Sequence, residues 1–296
     1  MKIFDCFMYY NENHILDLRL NYLNKFVDFF VIVESLYDHK GDKKDLNFNI
    51  NNYQKFKEKI IYIALDHLPK SIEKINADDN ENEKSRKYIL NGYRRDNFQR
   101  NYIVNGIKNA SSDDIILISD IDEIPDLENI NLTEITNKLI FFKQKMCCYK
   151  FNLYIRSINW VGTRACKKKN LISPQWLRNI KDRSYPFWRI DTLFSKKKYN
   201  NIFFIENGGW HFSYINSAEE IENKLKSYTH HREYDLNPLG IKKIEDLIKN
   251  KETVYNLSVD QRANQFGKGE KLDILEFNEL PKYIRDNKDK YKLWLE

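Results

Sequence analysis

The chain has 296 residues, of which 42% are hydrophobic and 31% charged, which excludes a disordered chain and leaves ample length for a core. The formal net charge of +6 is spread over interspersed acids and bases and reads as solubility. A sharper reading is a basic surface facing anionic lipid or a phosphorylated substrate, with Lys167–Lys169 and Lys196–Lys198 as its best candidates; nucleic acid is not an expected partner, since no zinc-finger spacing, basic domain or RNP-type motif is present.

The opening "MKIFDCFMYYNENH" holds a short apolar stretch interrupted by Asp5, which is no signal peptide. No window reaches the ~18 apolar residues of a membrane span. Cys6, Cys147, Cys148 and Cys166 form no CxxC, as expected of a reduced compartment, and the expected location is cytoplasmic. "KIFDCFMYY" predicts a first strand. Leu16, Leu20, Leu23 and Val27 then recur at helical spacing. "FFVIVES" is an uninterrupted apolar run, as in a strand buried on both faces. Strand, helix and strand in this order predict a βαβ unit and a parallel sheet. "KIIYIAL" (Lys59–Leu65) supplies a third strand.

From Asp66 to Lys87 the chain is polar and reads as a surface excursion. A helix is predicted from Tyr88 to Asn109, with Phe98, Tyr102 and Ile103 inward and a break near Asn91-Gly92. "DDIILIS" follows as a central strand, because Ile115–Ile118 shows no polar alternation. Beyond Pro125, "KLIFFKQKMCCYKFNLYIRSINWVG" alternates loosely and has the aromatics of antiparallel strands, and "NIFFIENGGWHFSYI" reads as another strand, interrupted by Gly208-Gly209. Ser217 and Glu220 form a capping box before Ile221, Leu225 and Tyr228. The tail from Lys242 reads as helical, with Pro281 starting a last short helix. The expected organisation is a domain over 1–240 with a helical appendage over 241–296 packed on it as one unit.

In an open parallel sheet, ligands bind beyond the carboxyl ends of the strands. Asp120 and Asp122 fall there, and residues two apart in extended backbone project to the same side. Two carboxylates so placed form a hard oxygen site for Mn²⁺ or Mg²⁺, and a divalent cation relieves their repulsion. Two other readings of the DxD remain: an acidic loop capping a helix, or a phosphohydrolase with Asp120 as nucleophile.

"SDIDEIPD" together with "GGWHFSYI" resembles glycosyltransferase family 17, the β-1,4-mannosyl-glycoprotein β-1,4-N-acetylglucosaminyltransferase group. The likeness extends through "DCFMYYNENHILDLRLNYL", "VDFFVIVES", "QRNYIVNGI" and "KLKSYTH", covering about Phe4 to Tyr234 in the family's order. The resemblance implies a GT-A fold: α/β, with a mainly parallel central sheet flanked by helices, a small antiparallel section and a helical C-terminal appendage. It also implies a UDP-sugar donor, a divalent metal and inversion at the anomeric carbon. By that resemblance Asp122 binds the metal, Asp120 reaches the ribose or the metal through water, and His211 is a further metal or phosphate ligand; the alternative for His211 is packing beside Trp210.

Gly208 and Gly209 are candidates for close backbone approach to the diphosphate, or for a bulge. Arg100 is a candidate nucleotide contact or the partner of a nearby acid. Tyr10, Asn11 and Glu34, near the ends of the first two strands, are candidates to line a uridine pocket, with capping and supporting hydrogen bonds as the alternative. Trp160 and Trp210 are candidates for stacking on sugars or for the core. For the general base the order is Glu206, Asp191, Glu123. The expected activity is transfer of a sugar, GlcNAc in β-1,4 linkage by analogy, from UDP to a glycan hydroxyl; the alternative is a non-catalytic glycan-binding protein on the same fold. Animal members of the family carry a membrane anchor, whereas this chain is read as starting at the catalytic domain. The expected acceptor is therefore a lipid-linked or cell-surface glycan precursor, met by peripheral association with the inner face of a membrane.

Overall fold

The first apolar run becomes β1 (Ile3–Tyr9), followed by α1 (Asn13–Leu23) and by β2 (Phe29–Ser35), which lies parallel to β1 with Phe4 opposite Phe29 and Tyr9 opposite Glu34. The computed structural model describes residues 1–186, 188–192, 194–229, 231–255 and 269–296. Burial on both faces explains the lack of polar alternation in β2. Phe30 and Ile32 pack on the side of α1, while Val31 and Val33 pack with Ile103 and Ile107 on the other. Each such side chain contributes roughly 1.5–3 kcal/mol of burial.

β3 (Ile60–Leu65) joins β2 in parallel. The next helix, α2 (Glu81–Tyr102), starts earlier than the apolar pattern predicted and ends earlier as well. Its start lies in the polar stretch read as a surface excursion, where Asn80 and Glu83 form a reciprocal capping box. Asn91-Gly92 does not break the helix. A Cβ at Gly92 would stand 3.0 Å from the Thr229 carbonyl, so the glycine allows a close approach there. After Tyr102 the helix tightens into a 3₁₀ turn, Ile103–Asn105. β4 (Ile115–Asp120) then inserts parallel to β1 on its other side, with Ile116, Leu117 and Ile118 fully buried.

The second half is mixed: a long hairpin is antiparallel, as predicted, while two later strands run parallel to its first strand. β5 (Glu123–Pro125) is short, and β6 (Leu139–Cys148) and β7 (Leu153–Lys167) form a long hairpin whose second strand runs antiparallel to β4. After α3 (Pro174–Asn179), β8 (Ile202–Ile205) and β9 (Gly209–Ser213) both lie parallel to β6. The sheet order is β3-β2-β1-β4-β7-β6-β9-β5, with β5 antiparallel to β9.

α4 (Ala218–Ser227) carries the predicted Ser217–Glu220 capping box and is followed by α5 (His231–Leu236) and α6 (Ile241–Lys249). The tail is not wholly helical. β10 (Asp273–Ile274) adds to β7 before α7 (Lys282–Asp286), which follows Pro281, and α8 (Lys288–Tyr291). Leu280, Ile284 and Tyr291 share one core with α1, and the Tyr291 hydroxyl donates to Asp17 Oδ2 at 3.0 Å. The result is mixed α/β, with a mainly parallel central sheet flanked by helices. Among the described residues, no helix is long and apolar enough to cross a membrane.

Candidate active site

A cavity of about 420 Å³ opens beyond the carboxyl ends of β1, β2 and β4 and is closed on its far side by β9 and α4. Its floor is the turn from Asp120 to Glu123. A buried arginine fixes that turn: Arg19 Nη1 donates to the carbonyls of Asp120 (3.1 Å), Ile121 (3.0 Å) and Glu123 (2.7 Å). The same guanidinium forms a two-point pair with Asp5, at 2.7 and 2.6 Å. Both side chains are fully buried, so the pair is stable only because each charge is matched and bonded. Asp5, the charge interrupting the first apolar strand, thus supports the turn from beneath.

Glu123 is the second support. Its carboxylate is fully buried and accepts from Trp160 Nε1 (2.7 Å), from Arg178 Nη1 (2.7 Å) and Nη2 (2.8 Å), and from the Asp120 amide (2.9 Å). Arg178 arrives on α3, whose Ser173 cap and Pro174 start it sharply. It also donates to the Gly162 carbonyl and, through Nη2, to Asp120 Oδ2 at 3.1 Å.

Asp120 and Asp122 have different surroundings. Asp120 Oδ1 accepts from Arg100 Nη2 at 3.0 Å and Oδ2 from Arg178. Burial works against its charge, but the Arg178 and Arg100 guanidiniums outweigh burial and hold its carboxyl well below the usual carboxylate range. Arg100 also grips Asp96 at 2.7 and 3.0 Å and donates to Gln175.

Asp122 instead faces His211 Nε2, 3.5 Å from Oδ1, and Lys224 Nζ, 3.5 Å from Oδ2. Burial would raise its carboxyl, yet Lys224 and then His211 bring it down to about 2. In return Asp122 raises both partners against their own burial penalty. Strand register delivers the histidine: β5 and β9 pair Glu123 with His211, and the Phe212 amide donates to the Asp122 carbonyl at 2.8 Å. Trp160 flanks His211, with ring centroids 4.9 Å apart, and His211 Nδ1 is buried without a hydrogen-bond partner. Lys224 comes from α4 and also reaches Glu12 Oε1 at 3.3 Å.

The structure gathers Tyr10, Arg100, Asp120, Asp122, Trp160 and His211 at this cavity and leaves the other sequence candidates outside it. Glu34 is buried under the loop after β2, accepting from Lys44 (2.7 Å), the Asn47 (2.7 Å) and Phe48 (3.0 Å) amides and Tyr62 (3.0 Å), so it organises the loop and does not line the cavity. Asn11 is exposed at the start of α1 and does not line the cavity either. Gly208 and Gly209 face protein. A Cβ at Gly208 would stand 2.9 Å from the Ile205 carbonyl and 3.1 Å from the Phe142 side chain; one at Gly209, whose φ is +121°, would stand 2.2 Å from the Ile124 carbonyl, so Gly209 allows the β5–β9 contact. Trp210 is core, its Nε1 donating to the Glu279 carbonyl at 2.9 Å.

Of the base candidates, Glu206 is 63% exposed and paired with Lys143 at 2.6 Å, away from the cavity. Asp191 is exposed between Arg189 and Lys198, both at 2.7 Å. Glu123 touches the site only from beneath, with both oxygens engaged. The cavity's carboxylates besides Asp120 and Asp122 are Glu12, Asp38 and Asp96.

Asp122 and His211 offer one oxygen and one nitrogen donor side by side, a set that suits Mn²⁺. Among the described residues, no three His, Cys, Asp or Glu side chains are grouped so as to hold an ion on their own. An ion there needs oxygens from a ligand or water, and Asp120 is committed to its arginines.

The sequence matches the family model for glycosyltransferase family 17 over residues 1–296. Human beta-1,4-mannosyl-glycoprotein 4-beta-N-acetylglucosaminyltransferase is 29% identical over 126 residues, 39% of this chain and 21% of that protein. Its rat counterpart is also 29% identical over 126 residues, covering 20% of its length. These matches therefore span only about a fifth of the relatives. A solved putative glucose-1-phosphate thymidylyltransferase from Bacillus anthracis, in complex with a sucrose, aligns over 71% of this chain and 88% of that one, with 12% identity and a TM-score of 0.34, too distant to bear on the chemistry.

Proposed function

Because the chain belongs to glycosyltransferase family 17, we propose that it moves GlcNAc from UDP-GlcNAc to a glycan hydroxyl, with inversion and β-1,4 linkage. The observation that carries this reading is the meeting of Asp122, His211 and Lys224 beyond the end of a central parallel strand. A diphosphate brought there meets a lysine ammonium, with two guanidiniums behind Asp120. Tyr10 and the residues after β1 and β2 form the wall toward the nucleoside, and Asp120, aligned by Arg100 and Arg178, faces the ribose.

Asp122 and His211 would hold Mn²⁺ or Mg²⁺, which would supply charge neutralisation of the diphosphate. Lys224 and His211 balance Asp122, and Lys224 would offer its ammonium to a phosphate oxygen of the donor. The proton of the acceptor hydroxyl goes to one of the carboxylates that line the cavity, Glu12 or Asp38, since Arg100 holds both oxygens of Asp96. A phosphohydrolase would need Asp120 as a free nucleophile, and both its oxygens are held by guanidiniums. Turnover would decide against the non-catalytic reading, and the acceptor is a glycan, lipid-linked or on a glycoprotein.

The test is a screen of UDP-sugars that reads UDP release with Mn²⁺ or with EDTA, with and without glycan acceptors. UDP release from UDP-GlcNAc that requires the metal and rises with acceptor supports the proposal. No release from any UDP-sugar overturns it.

A further inference from the structure

A closed loop leaves the fold three residues after Arg178. Arg164 Nη1 anchors its approach by donating to the carbonyls of Leu177 (3.0 Å) and Arg178 (2.6 Å). The Lys181 amide donates to the Lys197 carbonyl at 2.7 Å, and Trp176 Nε1 donates to the Lys196 carbonyl at 3.2 Å, so the two ends are tied together. Inside the loop Thr192 is buried, and its hydroxyl donates to the Arg189 carbonyl at 2.6 Å, pinning a turn.

That turn presents apolar side chains to solvent: Trp188 is 66% exposed, Ile190 69% and Phe194 85%. Scattered exposed apolar residues are ordinary. Here, among the described residues, three large ones fall within seven positions of one tethered loop, and the sequence around them is rich in cations. From Lys181 to Lys198 the sequence has six Lys or Arg and two Asp, 6 − 2 = +4. Asp191 is already matched inside the loop by Arg189 and Lys198. Lys181, Arg183, Lys196 and Lys197 are exposed and have no acidic partner among the described residues. The other lysine run behaves differently: Lys167 and Lys169 pair with Asp113, and Lys168 donates to the Lys108 and Ala110 carbonyls, so its charge is spent on the fold.

We propose that this loop docks the protein on an anionic lipid bilayer, with Trp188, Ile190 and Phe194 entering the interfacial region and Lys181, Arg183, Lys196 and Lys197 resting on the headgroups. Aromatic and aliphatic side chains with a cationic surround are the composition that binds such an interface, where apolar burial and attraction to acidic lipid add. The proposal is independent of the donor sugar. It places the surface next to the segment that holds Asp120.

The experiment is co-sedimentation of the full chain with vesicles of phosphatidylcholine alone and of phosphatidylcholine mixed with phosphatidylglycerol, at low and high salt. The variants are Trp188→Ser/Ile190→Ser/Phe194→Ser and Lys196→Glu/Lys197→Glu, each checked for an unchanged melting temperature. The wild type is expected to bind the phosphatidylglycerol vesicles, more weakly at high salt and weakly to phosphatidylcholine alone. Each basic residue at such a surface is worth about fivefold, so the double charge reversal should weaken binding by at least about 25-fold. The apolar triple variant should lose at least about tenfold. Absence of wild-type binding at low salt, or wild-type binding by both variants, overturns the proposal. So does a wild-type dimer that the triple variant makes monomeric, which would assign the apolar face to a second copy of this chain.

Discussion

Two carboxylates two positions apart, Asp120 and Asp122, sit in different electrostatic settings. Asp120 rests on Arg100 and Arg178, guanidiniums that stay charged at any working pH and reach it from fixed, largely buried positions. Asp122 rests on His211 and Lys224, an imidazole and an ammonium, each at a loose 3.5 Å. The arginine side is built to hold the turn in place. The histidine side leaves longer contacts. On the proposed function the site would admit a cation and a diphosphate and then release them, which both kinds of support within one turn would suit.

The comparison breaks most visibly at Arg178. Arg178→Met would leave the buried Glu123 carboxylate without its counter-charge, a loss of roughly 3–5 kcal/mol. The expected fall in melting temperature is on the order of 10 °C, followed by calorimetry. An unchanged melting temperature would show that the arginine side is not structural.

On the histidine side the larger effect should be on function. Asp122→Asn is expected to lower sugar transfer at least about 100-fold, while the melting temperature in EDTA stays within a few degrees. Kinetics beside a melting curve separate the two sides: one variant loses the fold first, the other the reaction.

A smaller effect distinguishes them by pH. A carboxyl near 3.9 in the unfolded chain and held at about 2 in the fold stabilises the protein above pH ~4, by on the order of 2 kcal/mol. That contribution is lost as pH falls from about 4 toward 2. His211 has the opposite sign: its raised value stabilises the metal-free fold below its unfolded value and is lost as pH rises through the folded one. Melting curves of Asp122→Asn should therefore be flatter than wild type in the acid window, and those of His211→Gln flatter above it.

The smallest effect is expected outside the cavity. Glu206 and Lys143 form an exposed pair, so Glu206→Gln should change stability by less than about 1 kcal/mol and leave the rate unchanged. A large loss of rate would restore Glu206 as a base candidate.

What the sequence disclosed follows the range of the interactions. Uninterrupted apolar runs such as Phe30–Val33 and Ile115–Ile118 announce buried strands, because burial on both faces leaves no room for alternation. Asp120 and Asp122 were legible because a strand end is a local feature. His211 reached the site through the pairing of β9 with β5, for which the paired glycines before it were the only local sign. Arg178 and Lys224 were not assigned to the site: their partners lie 55 and 102 positions away, and although "KLKSYTH" opens on Lys224, the motif does not show what its ammonium meets. The early start of α2 was hidden because it is a polar helix, whose buried residues include Asn91, Gln99 and Arg100. Glu34 lay on the right strand, but its carboxylate turns to the amides of the following loop, which strand periodicity does not foretell. Asp5 was the signal that could have been used, since a charge within a buried strand requires a partner of the kind Arg19 provides.

The most direct test of the division between the two sides is calorimetric titration of UDP into wild type, Asp122→Asn and Lys224→Met, in Mn²⁺ and in EDTA. The account predicts that wild type binds UDP at least about tenfold more tightly with Mn²⁺. It also predicts that Asp122→Asn loses this dependence on metal and that Lys224→Met weakens binding in both conditions. UDP binding that is the same in Mn²⁺ and EDTA, and unaltered by Asp122→Asn, would contradict it.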